Sequence, residues 1–201
     1  KKILPLMKSN VTVILTLYKT PISKIKNLNN YKNYNTIIFE QNSDGKFKNE
    51  LYKKLNYKFK YYYSYKNIGL SKSSNFLLSK VKTKYCLFTQ PDISISNNTI
   101  KMLKKGMNRD VIFASPRYVK KIKDKHYPDK KTKIKIVKNL NMACILMDVR
   151  KVKKIGFFDE DFFLYWEDVF LIKKINQTNY KMIKVNNAFA SHESSNSSED
   201  T

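Results

Sequence analysis

The chain has 201 residues, 42% of them hydrophobic and 13% aromatic, and a formal net charge of +24. That apolar content suits one folded domain with a sizeable core and excludes a disordered basic segment. The basic excess comprises 37 lysines and three arginines, Arg109, Arg117 and Arg150. So few guanidinium groups argue against a dedicated nucleic-acid reader, because base and phosphate recognition favours their bidentate fork.

The longest apolar runs, residues 11–17 and 143–147, are too short to cross a bilayer as a helix. The lysine load reads as solvated surface that attracts polyanions and anionic lipid headgroups in a salt-dependent way. Cys86 and Cys144 both lie in apolar runs, away from any second Cys or His at zinc-ligand spacing, and are expected to be free core thiols in a reducing cytosol.

Residues 11–17 form a β-branched and Leu-rich run, the pattern of a strand buried on both faces. Pro21 follows Thr20 as a helix start, and Ile22, Ile25 and Leu28 supply an apolar stripe at helical spacing. A second strand is predicted over 36–39, ending in the polar turn 40–45, and a Lys-rich helix over about 47–56. The aromatic run 59–65 is strand-like, and the turn Asn67-Ile68-Gly69-Leu70 opens a helix over 71–81. A buried strand follows over 85–89, closed by the turn 90–94, then an amphipathic helix over 99–107 and a strand over 111–114. Strand and helix alternate with short connections through residue 115, the signature of a parallel α/β sheet. Ligands in such sheets sit at the carboxyl ends of the strands, so the turns 40–44 and 90–94 face the ligand.

Residues 118–138, with His126 and Pro128, lack periodicity and read as a mobile loop or a basic β-insert. An apolar strand is expected over 141–148, a short helix over 149–155 stopped by Gly156, a helix over 169–175 and a strand pair over 182–185 and 188–190. The polar tail from Ser194 is expected to be disordered.

One stretch stands apart from the basic background. Residues 156–168 read Gly-Phe-Phe-Asp-Glu-Asp-Phe-Phe-Leu-Tyr-Trp-Glu-Asp, with the only Trp directly before Glu167 and Asp168. Carboxylates set among large apolar side chains are costly to desolvate unless paired or bound to a ligand. The stretch is therefore a functional pocket or an ion-pair partner of the lysines. Asp92, just past a strand end, suits a hard divalent cation holding a diphosphate, or is a simple turn residue. Glu40 reads a base edge or ribose, or caps a helix. Gly69 allows a tight turn before a helix N-terminus, a place for an anion. His192 after the last strand is a ligand or a structural histidine.

Taken together and in order, these pieces resemble a family 2 glycosyltransferase of the GT-A fold, closest to the bacterial rhamnosyltransferase-like branch. The resemblance covers 11–198. It rests on Val-Thr-Val-Ile-Leu-Thr-Leu-Tyr-Lys (11–19), Ile-Ile-Phe-Glu-Gln-Asn-Ser (37–43), Asn-Ile-Gly-Leu-Ser-Lys-Ser-Ser-Asn (67–75), Gln-Pro-Asp-Ile (90–93), the stretch 156–169 and the late His192.

The resemblance implies an α/β fold with a mostly parallel central sheet flanked by helices and a smaller acceptor-side β/loop region. It implies one domain over 1–201, with a nucleotide-sugar half over about 11–115, an acceptor and catalytic half over about 116–193, and a tail over 194–201. It implies an inverting transfer of a hexose from a nucleotide-diphosphate sugar to a glycan or lipid-linked acceptor in cell-surface polysaccharide synthesis. The place implied is the cytoplasm, against the anionic inner membrane face, with no specific nucleic-acid partner. The alternative is a catalytically degenerate GT-A domain that binds nucleotide or polyanion.

By the same resemblance, Asp168 is the general base. Glu40, Asn67, Gly69, Asn75, Trp166 and Glu167 bind substrate, with residues 162–166 forming the wall of an acceptor pocket. Asp92 and His192 hold a divalent cation, Mg2+ or Mn2+. Ser94 stands where the family's second carboxylate belongs, and Glu40 where it usually has Asp.

Overall fold

The structure is a computed structural model that describes residues 9–25, 28–55, 57–122 and 134–192. His126, Pro128 and the tail from Ser194 lie outside the described residues.

A nine-stranded sheet forms the frame. Its first block is parallel. The strands β1 (Val11–Tyr18), β2 (Asn35–Gln41), β3 (Lys60–Ser64) and β4 (Tyr85–Thr89) stand in the order β3-β2-β1-β4. Strand order reverses between β1 and β4, and a crevice opens outside the carboxyl ends at that point. Three helices connect this half: α1 (Phe47–Lys54), α2 (Leu70–Lys80) and, after β5 (Ile93–Ile95), α3 (Thr99–Gly106).

Beyond β4 the pairing changes hand. β8 (Cys144–Asp148) lies antiparallel to both β4 and β6 (Val111–Tyr118), and β6 runs parallel to β9 (Lys181–His192). β9 also takes β5 and β7 (Ile134–Val137) in antiparallel pairs. The sheet is thus parallel through β3-β2-β1-β4 and mixed thereafter. Two further helices among the described residues, α4 (Val149–Ile155) and α5 (Glu167–Asn176), lie between β8 and β9 in the chain.

Three departures from the sequence reading matter for the site. Residues 90–94 are not wholly a turn, because Ile93–Ile95 pairs with the end of β9. The pair of strands expected over 182–190 is one strand, β9, interrupted by a register shift where Pro116 and Arg117 face Val185 and Phe189. Pro116 lacks an amide hydrogen, and a bulge is where a sheet tolerates that loss. The stripe after Pro21 builds 3-10 turns, Ile22–Lys24 and Leu28–Tyr31, with extended backbone at Ile25 between them.

The core divides by sheet face. Ile14, Ile37, Phe39, Phe88 and Ile145 pack against α2, α4 and α5 through Leu77, Val152 and Leu171. On the other face, Leu87, Leu146 and Ile183 meet Ile100 and Leu103 of α3, while Leu15, Leu17 and Ile38 meet Leu51 of α1. Cys86 and Cys144 are buried and free; burial raises the pKa of both thiols, to about 12 for Cys144.

Asp148 ends β8 and accepts the Lys151 amide at 3.3 Å, capping α4. The Lys151 ammonium is half-buried, 3.3 Å from Asp148 and donating to the carbonyls of Asn108 (3.0 Å) and Val111 (2.6 Å). The buried Asp148 carboxylate is thus paired with a charge that is itself hydrogen-bonded.

Candidate functional site

Two cavities sit end to end along the carboxyl edge of the parallel strands. The first, about 450 Å³, is lined by Thr16 and Tyr18 of β1, Lys24, Gln41 at the end of β2, Asn67, Gly69 and Leu70, Gln90 to Asp92, and Phe163 and Leu164. The second, about 480 Å³, is lined by Phe88, Asn139 to Ala143, Phe158, Glu167, Asp168 and His192. Leu70 and Gln90 line both, so the two form one cleft. Each has the size of a pocket for a small ligand.

The seam between them is a carboxylate–imidazole contact. His192 Nε2 lies 3.0 Å from Asp92 Oδ2, both side chains partly shielded from solvent. Strand pairing creates this contact: β5 is antiparallel to β9 with Ile93 opposite His192, so Asp92 arrives beside the histidine. One carboxylate and one imidazole suit a hard or borderline divalent cation. Among the described residues no group of three or more His, Cys, Asp or Glu could enclose an ion. The donor set therefore fits a cation shared with an oxyanion ligand, not one held by protein alone. Ser94 is committed to the sheet opposite Ser191.

The floor of the first cavity is fixed by polar bonds that close the 67–69 turn. Gln41 Oε1 accepts the Ile68 amide at 2.9 Å, and Asn67 Oδ1 accepts the Gly69 amide at 3.0 Å. Gly69 has φ +85° and ψ 166°, a region essentially closed to residues with a Cβ. The Leu70 amide at the start of α2 donates to the Phe163 carbonyl at 2.7 Å. That helix N-terminus is thus partly satisfied by the 156–168 stretch, so the anion expected there competes with a protein carbonyl. Thr16 lines the same cavity, and its buried Oγ1 has no hydrogen-bond partner among the described residues.

The predicted site residues separate into those the fold gathers and those it does not. Asn67, Gly69 and Asp92 line the first cavity; Glu167, Asp168 and His192 line the second. Glu40 lies outside both. Side chains alternate along a strand, so Glu40 shares the face of Ile38, where the Ser43 and Tyr61 hydroxyls donate to its carboxylate. Its neighbour Gln41 is the β2 residue in the cleft.

Asn75 is also outside. Its amide donates to the Phe158 carbonyl and the Glu160 carboxylate, both at 2.9 Å, and its oxygen accepts the Phe158 amide at 3.1 Å. It clamps α2 to the 156–168 stretch. Trp166 is 68% exposed and borders neither cavity. Tyr165 and Trp166 have φ +67° and +70°, a left-handed pair that turns their rings outward before α5 begins. Of residues 162–166, only Phe163 and Leu164 meet the cleft, and on the side of the first cavity. Lys24, Tyr18, Gln90, Asn139 and Asn141 line the cleft without having been singled out. Nothing in sequence marks Lys24 among 37 lysines.

Glu167 and Asp168 differ in setting although they are adjacent at the start of α5. Glu167 is buried, its Oε2 has no partner among the described residues, and desolvation raises its pKa, with the Asp168 charge adding to the shift. Asp168 is more open and accepts the Val169 amide at 2.7 Å. A carboxylate ionised at a helix N-terminus is favoured by the helix dipole.

The sequence model described as "Glycosyl transferase family 2" matches residues 16–172. The chain belongs to glycosyl transferase family 2. No curated protein sequence matches this family member at a significant level. Among solved structures it is similar to GalNAc-T7 crystallised with UDP, GalNAc and Mn2+, at TM-score 0.73 and 13% identity, over 94% of this chain and 44% of that one. It is similar to the mannosyltransferase PcManGT from Pyrobaculum calidifontis in complex with GDP-Man and Mn2+, at TM-score 0.71 and 15% identity, over 92% and 57%. It is similar to S. aureus TarS 1-349 in complex with UDP, at TM-score 0.64 and 17% identity, over 92% and 60%. These likenesses show the GT-A fold, and this glycosyl transferase family 2 chain spans about half the length of those proteins.

Proposed function

We propose that this protein transfers a hexose, with inversion, from a nucleotide-diphosphate sugar to a hydroxyl of a glycan or lipid-linked acceptor in cell-surface polysaccharide synthesis. The observation that supports the reading most is the Asp92–His192 contact at the seam of two cavities, with Asp168 on the side away from the first. A displacement reaction needs two compartments that meet at one reacting carbon.

In this reading the donor lies in the first cavity, its diphosphate toward Lys24 and the Asp92–His192 seam. The acceptor enters the second cavity, and its hydroxyl oxygen bonds to the anomeric carbon as the carbon–diphosphate bond breaks. Asp168 takes the hydroxyl proton, and the bond pair leaves on the nucleoside diphosphate. A divalent cation held by Asp92, His192 and the diphosphate would neutralise charge on that leaving group. Gln41, Asn67 and Thr16 supply polar contacts to the donor, and Glu167 orients the acceptor from its buried position. Two GT-A structures similar to this one were solved with Mn2+ and nucleotide or nucleotide sugar, which supports the cation assignment.

The test is calorimetric titration with UDP and GDP, each with and without Mn2+, on the wild type and Asp92→Asn. The reading expects Mn2+ to tighten binding of one nucleotide and Asp92→Asn to remove that gain. A second reading, a nucleotide-binding domain without catalysis, is favoured by Ser94 at the second carboxylate position. It expects nucleotide binding indifferent to Mn2+ and no transfer to any acceptor. Absence of nucleotide binding under all conditions would overturn both.

A further inference from the structure

A third cavity lies at the opposite end of the same strands. It measures about 630 Å³ and is lined by the starts of β1, β2 and β3 and by the turn between α2 and β4. Thr12 and Tyr18, which line the two ends of β1, are separated by roughly 20 Å at the rise of an extended strand. The third cavity is therefore remote from the cleft, and it stands independently of the transfer reaction proposed above.

Its charge is one-sided. Lys58, Lys60, Lys80 and Lys82 line it, and no Asp or Glu does. None of the four is in an ion pair among the described residues, whereas Lys46, Lys151 and Lys181 each have an Asp partner. Composition does not explain the difference: the two cleft cavities together are lined by one lysine, Lys24, and three acids. Lys80 has a structural role as well, lying over the Phe76 ring at 4.8 Å and in the last turn of α2. The other three have no such contact.

Apart from Ile37 and Phe59, the remaining lining is polar. Asn10 lines the cavity, and its Oδ1 accepts the Lys84 amide at 3.2 Å, so its NH2 group is the amide's remaining donor. Asn35 adds a second exposed amide at the start of β2. Thr12 and Thr83 share a 2.7 Å hydroxyl contact, and Thr83 donates onward to the Tyr85 carbonyl at 2.8 Å, which holds the wall rigid. Ammonium groups around one concavity repel one another until an anion enters, and amide donors give that anion directional contacts. Lysine ammoniums act as point charges, which suits a multivalent oxyanion over a planar carboxylate.

We propose that this cavity is a second ligand site that takes a phosphate-bearing anion. The chemistry is common to a free phosphoanhydride and to the headgroup of an anionic phospholipid, and the experiment separates these sources. Inorganic pyrophosphate is titrated in EDTA while backbone amides of the full chain are followed by NMR. In parallel, the protein is sedimented with phosphatidylglycerol vesicles and with phosphatidylcholine vesicles. Both arms use the wild type, K58Q/K60Q/K80Q/K82Q, and a control of equal charge loss, K53Q/K101Q/K104Q/K105Q.

The cavity variant is expected to weaken one probe at least about tenfold more than the control does, as the loss of several adjacent lysines should. In the pyrophosphate arm, the perturbed amides are expected at 58–60 and 82–83. Sensitivity in that arm marks a free phosphate ligand, and sensitivity confined to phosphatidylglycerol vesicles marks a lipid headgroup. Asn35→Asp, which places one carboxylate in the cavity, is expected to act in the same direction without removing any lysine. Equal losses in the cavity and control variants for both probes would overturn the proposal.

Discussion

Gly69→Ala tests how the cleft is assembled. A Cβ at Gly69 would lie 2.6 Å from the Phe163 carbonyl oxygen and 3.1 Å from its Cα, both backbone atoms that cannot rotate away. The residue also sits at φ +85°, where L side chains are strained. The backbone conformation alone costs ~1–3 kcal/mol for alanine. Displacing Phe163 loses the 2.7 Å bond from the Leu70 amide, worth ~0.5–1.5 kcal/mol net. The sum is about 2–4 kcal/mol, which for a domain of this size lowers Tm by roughly 4–16 °C. Because Phe163 and Leu164 wall the first cavity, nucleotide affinity should fall with stability.

Gly45→Ala is the comparison. It shares the positive φ, +83°, but the atoms nearest its Cβ would be those of the Tyr63 ring, at 2.9 Å, and neither residue lines the cleft. It should lose stability without losing nucleotide affinity. Urea denaturation and calorimetry on both variants separate the two effects. A Gly69→Ala protein of wild-type stability and affinity would refute the docking of 162–164 onto the start of α2.

Three further perturbations follow from the packing. Lys151→Ala leaves Asp148 and the carbonyls of Asn108 and Val111 without their shared donor; loss of charge-assisted bonds of this kind costs ~1.5–3 kcal/mol, measurable by urea denaturation. Asn75→Ala removes three bonds between α2 and the 156–168 stretch, at ~2–4 kcal/mol. Its transfer activity should fall through disorder of the stretch and recover partly on cooling.

Glu167→Gln has a pH signature. The wild-type carboxyl has a folded pKa raised above its unfolded value, chiefly by burial. Its protonated form favours the folded state, and stability falls as pH rises from the ordinary carboxylate value through the raised one. The glutamine variant should be relatively stabilised at neutral pH and should lose that advantage in acid. A Tm difference independent of pH would contradict the assignment.

Much of the frame was legible because it is locally encoded. The apolar run at 11–17, the helix over 71–81 and the strand at 85–89 carry their periodicity within a few residues, and each appears within a residue or so of its expected bounds. The stop at Gly156 followed from a left-handed C-cap, found at φ +92°. What escaped depends on long-range pairing. The three residues of β5 alternate apolar and polar, but the run is too short to read as a strand from sequence, and it is extended because β9 lies beside it. The order of strands beyond β4 leaves no local trace either.

The site divides along the same line. Residues Asn67, Gly69, Asp92, Glu167, Asp168 and His192 were nameable from motif order and lie along the cleft. Glu40 fell on the wrong side of a strand by one residue, a parity that depends on which face α1 covers. Asn75 and Trp166 share motifs with cleft residues, but one is a clamp and the other is turned outward by two left-handed residues. The third cavity was hidden altogether, since four lysines from two segments, 58–60 and 80–82, converge only in the fold.

The central claim is that Asp168 accepts the acceptor proton beside a donor held in the first cavity. The most direct measurement is transfer by wild type and Asp168→Asn, read as product mass with a mixed panel of nucleotide-sugar donors and lipid-linked or glycan acceptors, alongside calorimetric nucleotide affinity. Loss of a positioned base lowers the rate by ~10²–10⁴-fold, while nucleotide affinity should be unchanged. Transfer at the wild-type rate by Asp168→Asn would contradict the account.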